Sequence, residues 1–254
     1  MISIVILGTG NVAKHLFDAI TAQNGVEIIQ VYGRSQNALS YFNNQVNITS
    51  DLSNIKGADI YLIAITDDAI SEVSKFLVGN KGLIVHTSGS IPMNALPHKH
   101  RRGVFYPLQT FSANRKVNFK EIPICIEAEN EGDYELLNEL ASAISDKVIQ
   151  IDNDQRKALH LAAVFANNFT NHMYHAAQEI CIQNDVPFEL LFPLIKETAA
   201  KIQDLSPLDA QTGPARRNDT GTLQKHLAQL KHKKYNKIYA LLSESIRKTY
   251  GKKL

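Results

Sequence analysis

The sequence has no long hydrophobic run, few cysteines and little net charge, and each absence excludes a class of protein. No stretch reaches the roughly 18 apolar residues of a membrane-spanning helix. A formal net charge of +2 is too small to favour nucleic acid as a partner. The cysteines, Cys125 and Cys181, form no CxxC pair and are predicted to be buried, reduced thiols. We therefore expect a cytoplasmic protein that binds neither a membrane nor nucleic acid.

Local clusters of basic residues and histidines do not change this expectation. The densest basic runs, HKHRR (98–102) and KHKKYNK (231–237), are typical of solvated surface, and contact with phosphate or nucleic acid is the alternative. His172 and His175 lie three residues apart without an evident third ligand. No metal site is therefore predicted.

Short apolar runs alternate with amphipathic segments through the first part of the chain. The apolar runs are ISIVIL, EIIQVY, IYLIAI, GLIVHT, GVFYPL, IPICIEA and KVIQI. They are rich in Ile and Val and do not alternate strictly, which is typical of strands buried on both faces of a parallel sheet. Strands separated by helices predict a Rossmann-like, doubly wound α/β domain over residues 1–151.

The pattern changes to a helical one near residue 152. No convincing strand follows Asp154, and residues 154–185 are predicted to form one long helix with apolar positions at three- and four-residue steps. We therefore expect an all-helical domain over residues 152–254. The broad apolar face of its long helix predicts a homodimer formed through this domain.

A glycine-rich turn follows the first predicted strand. Its candidate cofactor-binding residues are Gly8, Thr9, Gly10, Asn11, Val12 and Ala13, which form a GxGxxA pattern between a strand and a helix. The first glycine permits a tight turn, the second lets the backbone approach a pyrophosphate, and the alanine allows close packing of the helix. The helix N-terminus then faces the phosphates, although a turn without a ligand gives the same pattern.

The second predicted strand ends in VYGRS, where a NAD-binding domain normally carries an acid. That acid binds the ribose 2′-hydroxyl and would repel a 2′-phosphate. Arg34 instead offers a guanidinium suited to phosphate oxygens, and Ser35 adds a hydroxyl. The alternative is an exposed arginine beside a serine that only caps the next helix. The turn favours NADP as the cofactor.

Polar residues follow three further strands at the same predicted sheet edge, where ligands bind in such folds. After the third strand, Thr66 and Asp67 are candidates for the nicotinamide half, or Asp67 is a helix cap. After the fourth, Ser88 can donate a hydrogen bond and His86 can exchange a proton, or His86 is a buried core imidazole. Tyr106 can face the same cleft or belong to the core.

The long helix and a later loop supply the remaining candidates. His160 shares a face with Asn167 and Asn168, and an amide there can orient a substrate or bond a neighbouring helix. The candidate catalytic set is His86, Ser88, His160 and Asn167. Arg216 and Arg217 suit an anionic small-molecule substrate, although they can equally be exposed loop residues.

Taken in order, these motifs resemble the NADP oxidoreductases that join a Rossmann-like domain to a DUF2520-type helical domain. The motifs are GTGNVAKHL, VYGRS, AITDDAI, HTSGS, YPLQTF, HLAAVFANNF and TGPARRND. More distantly, the layout is similar to pyrroline-5-carboxylate reductase, prephenate dehydrogenase and the β-hydroxyacid dehydrogenases. The resemblance implies a nicotinamide-binding domain followed by a helical domain that closes the active site and often dimerises.

The chain departs from these better-known relatives where they carry their catalytic groups. Val164 replaces the lysine that β-hydroxyacid dehydrogenases place before their paired asparagines, and Tyr106 replaces the histidine that prephenate dehydrogenases place before proline. The Ser/Gly-rich turn of pyrroline-5-carboxylate reductases is missing as well. We expect an NADP-dependent oxidoreductase acting on a small C=O or C=N substrate, and a non-catalytic NADP-binding sensor is the alternative.

Overall fold

The computed structural model describes residues 1–250, and the chain divides into two compact units, Met1–Asn168 and the residues from Phe169 onward. The first unit is built on one eight-stranded sheet. Its strands are β1 (Ile2–Leu7), β2 (Val26–Tyr32), β3 (Asn47–Thr49), β4 (Ile60–Ile63), β5 (Leu83–His86), β6 (Arg102–Pro107), β7 (Ile124–Ala128) and β8 (Val148–Gln150). The short strand β3 was not predicted.

The order of the strands confirms the predicted Rossmann-like architecture. The order is β3-β2-β1-β4-β5-β6-β7-β8, so the chain reverses direction across the sheet after β3. All neighbours pair in parallel except β6 and β7, which pair antiparallel. A parallel pair would need a connection that crosses back over the sheet, usually through a helix. The connection between β6 and β7 contains no α-helix, and β7 begins at the same end of the sheet where β6 ends. The expectation of a wholly parallel sheet was therefore wrong at this edge.

Helices cover both faces of the sheet, as a doubly wound fold requires. The first unit contains α1 (Asn11–Thr21), α2 (Gln36–Leu39), α3 (Ile70–Lys75), α4 (Glu131–Ile144) and α5 (Asn153–Ala163). On one face, Ile4 and Ile6 of β1 pack in a core with Leu16 of α1. On the other face, Val5 packs in a second core with Ile70 of α3. The residues of β1 are buried on both sides of the sheet, which explains why the strand is apolar except for the half-buried Ser3.

The long helix predicted from residue 154 is present but is not uniformly α-helical. A π-helical segment, Val164–Phe169, follows α5 directly and leads into α6 (Thr170–Ile182). The remaining helices are α7 (Phe192–Ala200), α8 (Pro207–Ala210), α9 (Thr220–Gln229) and α10 (Lys233–Tyr250). No strand occurs after residue 154 within the described residues.

The predicted domain boundary at residue 152 stays a prediction, and residues 251–254 of the predicted helical domain lie outside the described residues. Among the described helices, none is long and apolar enough to cross a membrane. Cys125 is buried as predicted, whereas Cys181 is only half-buried.

Candidate functional site

The glycine turn after β1 is closely packed against the neighbouring strand ends. Gly8 has φ +137°, and a Cβ there would lie 2.1 Å from the carbonyl oxygen of Ala64. A Cβ on Gly33 would lie 2.3 Å from Cγ2 of Thr9. Both glycines are therefore required sterically, because the turn, the end of β2 and the segment after β4 leave no room for a side chain.

The N-terminus of α1 opens onto free space. Gly10 is its N-cap, no side chain caps the helix, and the first turn contains no acidic residue. A Cβ on Gly10 would meet no atom within 4 Å. Ala13 is fully buried and packs in the core beneath the turn. Unpaired backbone N–H groups and the helix dipole make this end of α1 suitable for a phosphate group.

A cavity of about 530 Å³ lies in front of this helix end. Its walls include Gly8, Thr9, Gly10, Asn11, Val12, Gly33, Arg34, Thr66, Thr87 and Phe111. Three predicted cofactor residues do not line the cavity: Ala13, which is buried beneath the turn, Ser35 and Asp67. The Ser35 hydroxyl caps α2 by accepting a hydrogen bond from the Ala38 N–H at 3.3 Å. Asp67 is exposed at the start of a 3₁₀ turn, whereas Thr66 lines the cavity.

The segment after β6 is held against α1 beside the cavity. The Asn11 side chain donates to the carbonyl oxygen of Phe111 at 3.0 Å, and Nε2 of His15 lies 3.0 Å from the carbonyl oxygen of Ser112. The rings of His15 and Phe111 are 5.0 Å apart. The sequence analysis did not identify this contact, because it joins two motifs about a hundred positions apart, the glycine turn and YPLQTF, and neither motif by itself shows that they touch.

His86 ends β5 and is fully buried. Its Nδ1 accepts a hydrogen bond from the Ser88 N–H at 3.2 Å, so the ring proton sits on Nε2. Nε2 itself has no hydrogen-bond partner in the part of the chain that the structure describes. Burial, reinforced by the charge of Arg156, lowers the pKa of His86 to about 4. The imidazole is therefore neutral near pH 7 and holds the turn that follows it.

Ser88 and Gly89 connect the cofactor cavity to a second group of side chains. Ser88 is buried, and its Oγ accepts hydrogen bonds from the N–H groups of Ser90 and Ile91, both at 3.1 Å. The hydroxyl proton of Ser88 remains available to donate. Thr87, one residue earlier, lines the cavity. This turn therefore lies within a few ångströms of the cavity.

Tyr106 of β6 and His160 of α5 meet beside this turn. The Tyr106 hydroxyl lies 3.0 Å from Nδ1 of His160. A Cβ on Gly89 would lie 2.5 Å from that nitrogen and 2.9 Å from Cζ of Tyr106. Burial raises the pKa of Tyr106 to about 12, so the phenol keeps its proton. His160 is half-buried, which leaves its ring partly open to solvent.

Arg156 anchors this arrangement, and the sequence analysis missed it. It lies one turn before His160 on α5 and is fully buried. Its guanidinium pairs with the Glu127 carboxylate and donates to the carbonyl oxygen of Ile91 at 2.7 Å. The only signal in the sequence was the four-residue spacing from His160, because an arginine between Gln155 and Lys157 resembles solvated surface.

Three predicted residues do not join this group. Asn167 and Asn168 lie in the π-helical segment and are exposed. Such segments occur frequently at functional sites. Arg216 donates to the carbonyl oxygens of Gln211 and Asp209, so it holds its own loop. The structure therefore brings Gly89, the residue after Ser88, against His160 and Tyr106, and leaves Asn167 at the surface.

Two family models match the chain. Residues 3–86 match the model described as NADP oxidoreductase coenzyme F420-dependent. Residues 122–246 match a domain of unknown function, DUF2520, which begins close to β7. Among curated proteins, none matches the chain.

Solved structures match over nearly the whole chain. A Bacteroides fragilis crystal structure, assigned in its name to the NADP oxidoreductases, is 42% identical with a TM-score of 0.90, and the match covers 97% of this chain and 98% of that one. An imine reductase from Myxococcus stipitatus in complex with NADP⁺ is 14% identical with a TM-score of 0.69, covering 98% and 96%. A pyrroline-5-carboxylate reductase from Coxiella burnetii is 18% identical with a TM-score of 0.58, covering 99% and 94%. The last two share the fold.

Proposed function

Because this chain belongs to the family of NADP oxidoreductases that carry a DUF2520 domain, we propose that it reduces a small C=O or C=N substrate with NADPH. The protein is an oxidoreductase and its cofactor is NADP. The observation that carries the finer proposal is the contact of 3.0 Å between Tyr106 and His160, beside the turn that follows the cavity. The neutral Tyr106 phenol would serve as the proton donor that such a reduction needs.

The residues around the cavity suit the dinucleotide. The open N-terminus of α1 would hold the pyrophosphate through its backbone N–H groups. Arg34, which lines the same cavity, would pair with the 2′-phosphate. Ser35 already caps α2, so we assign the charged contact to Arg34 alone. Thr66 and Thr87 line the remaining wall of the cavity, where the nicotinamide half of the cofactor would lie.

Reduction of a C=O or C=N bond consumes a hydride and a proton. Bound NADPH supplies the hydride to the substrate carbon. We assign the proton to the Tyr106 hydroxyl, which would donate it to the substrate oxygen or nitrogen. His160 Nδ1, 3.0 Å away, would return a proton to Tyr106 from the solvent side. Ser88 would donate a hydrogen bond to the same substrate atom.

The remaining catalytic candidates receive other roles in this proposal. His86 is a positioning residue, because it is fully buried and its Nδ1 is occupied by the Ser88 N–H. Asn167 stands exposed in the π-helical segment, where it can contact substrate from the helical side of the chain. Neither residue is required for the proton step.

The reaction is tested by following NADPH oxidation with cyclic imines and 2-oxo acids, which covers neutral and anionic substrates. A substrate that is turned over by the native protein and not by Tyr106→Phe supports the proposal. Full turnover by the Tyr106→Phe variant would reject the proton assignment. NADPH binding without turnover of any C=O or C=N compound would favour the sensor.

We also propose a homodimer formed through the second unit. Large apolar side chains there are exposed to solvent, among them Ile182, Leu190, Leu194, Ile202, Leu205 and Leu241. So much exposed apolar surface is uncommon on a monomer and typical of a protein interface. Light scattering at micromolar concentration should give twice the 28.3 kDa mass of one chain. A monomer mass would count against this proposal.

A further inference from the structure

A larger cavity, of about 750 Å³, lies on the outer side of α1. One wall is formed by α1 and the two residues that follow it, Ala22 and Gln23, and the other by residues 113–120 of the connection between β6 and β7. Asn11 is the single lining residue that this cleft shares with the cofactor cavity. We call this larger cavity the outer cleft. The proposed reaction does not use the outer cleft.

The outer cleft carries an excess of positive charge. Lys14, Arg115 and Lys116 line it, and no carboxylate lies within 4 Å of their charged atoms among the described residues. Lys120, at the same wall, pairs with Asp146 at 3.4 Å. Asp18 also lines the cleft, and its carboxylate accepts a hydrogen bond from the Tyr41 hydroxyl at 2.7 Å and offsets part of this charge. Three cations without a paired carboxylate therefore line the cleft, against one acid.

The remaining lining of the outer cleft is apolar or neutral. The apolar wall is formed by Ala19 of α1, Ala22 at the end of that helix, Phe119 and Ile144. Tyr41 also lines the cleft and is 42% exposed. The Lys14 ammonium lies 4.8 Å from the centre of the Tyr41 ring. Cations beside an apolar and aromatic wall suit a small molecule that carries both an anionic group and an organic part.

We propose that the outer cleft is a second ligand site, which binds a phosphate-bearing small molecule between α1 and residues 113–120. The Arg115 guanidinium offers paired donors that match phosphate oxygens, and Lys14 and Lys116 add charge from both walls. This site is separate from the NADP site, where Arg34 and the N-terminus of α1 hold phosphate. The binding does not rest on the proposed reaction.

The test titrates inorganic tripolyphosphate into protein saturated with NADP⁺, by calorimetry. The cofactor phosphate sites are then filled, so any heat reports a second site. Saturable binding should be weakened about tenfold or more by the double variant Arg115→Gln/Lys116→Gln. The matched control, Lys81→Gln/Lys99→Gln, removes the same charge from exposed positions outside the cleft and should change the affinity less than about twofold.

Two results would overturn the proposal. One is the absence of saturable binding to the NADP⁺-loaded native protein. The other is an equal loss in the cleft variant and in its control, since that means attraction by net charge alone. The affinity of each variant for NADP⁺, measured without tripolyphosphate, shows that it is folded. A protein without turnover can still pass this test, so the result is independent of the proposed reaction.

Discussion

The Tyr106 hydroxyl lies 3.0 Å from Nδ1 of His160, and the contact joins the end of β6 to α5. Because burial raises the pKa of Tyr106 to about 12, the tyrosine is neutral in this contact. The buried Arg156, one turn earlier on the same helix, fixes the position of α5 through Glu127 and the carbonyl oxygen of Ile91. These contacts place a proton donor beside the Ser88–Gly89 turn.

Tyr106→Phe should lower kcat/KM for a reducible substrate by roughly 10²- to 10⁴-fold, because it removes the donor. NADPH affinity should stay within about twofold, because Tyr106 does not line the cofactor cavity. Steady-state kinetics and calorimetry measure the two effects. The control is Tyr134→Phe, whose hydroxyl makes no hydrogen bond among the described residues. Equal rate losses in both variants would contradict the assignment.

Gly89→Ala should disturb the same pair from the other side. The added Cβ would lie 2.5 Å from His160 Nδ1 and 2.9 Å from Cζ of Tyr106, so at least one ring must move. A displacement of about 1 Å near reacting groups can cost roughly 10²-fold in rate, and we expect a loss of that order in kcat. Gly57→Ala is the matched control, because a Cβ there meets nothing within 4 Å. Native kcat in Gly89→Ala would show that the Tyr106–His160 geometry does not limit the reaction.

Arg34 should determine the choice of cofactor. Calorimetry should show NADPH bound at least about tenfold more tightly than NADH, because a guanidinium–phosphate pair is stronger than a contact with a hydroxyl. Arg34→Asp should reverse or abolish that preference. Lys81→Asp changes the charge equally at an exposed position outside the cavity and should keep it. Equal affinities of the native protein for NADPH and NADH would refute the role of Arg34.

The glycine turn was predictable as a structure because its pattern is local in sequence. Gly8 has the positive φ of the tight turn and Ala13 is buried beneath it, although the atom that excludes a side chain at Gly8 is the distant carbonyl oxygen of Ala64. The candidate catalytic half of the site depends on contacts between residues that are distant in sequence. Tyr106 and His160 are 54 positions apart, and Arg156 reaches Ile91 across 65. No single-sequence pattern shows that an arginine within DQRKALH is fully buried, or that β7 runs against β6.

His86 should make the stability of the protein fall between about pH 6.5 and pH 4. Its pKa is about 4 in the folded protein and near 6.5 when unfolded, so in this window the unfolded chain takes up a proton that the folded chain refuses. The loss approaches roughly 3 kcal/mol at the lower end, and above pH 6.5 this effect is absent. Thermal unfolding at pH 7 and pH 5 measures it.

The matched variant for this measurement is His86→Asn, whose amide oxygen can still accept the hydrogen bond that the Ser88 N–H donates to Nδ1. Asparagine does not titrate, so the decrease in stability from pH 7 to pH 5 should be smaller than in the native protein. The other histidines contribute equally to both proteins and cancel in the comparison. An unchanged decrease in His86→Asn would mean that groups other than His86 cause the acid sensitivity, and that His86 is not held neutral by the fold.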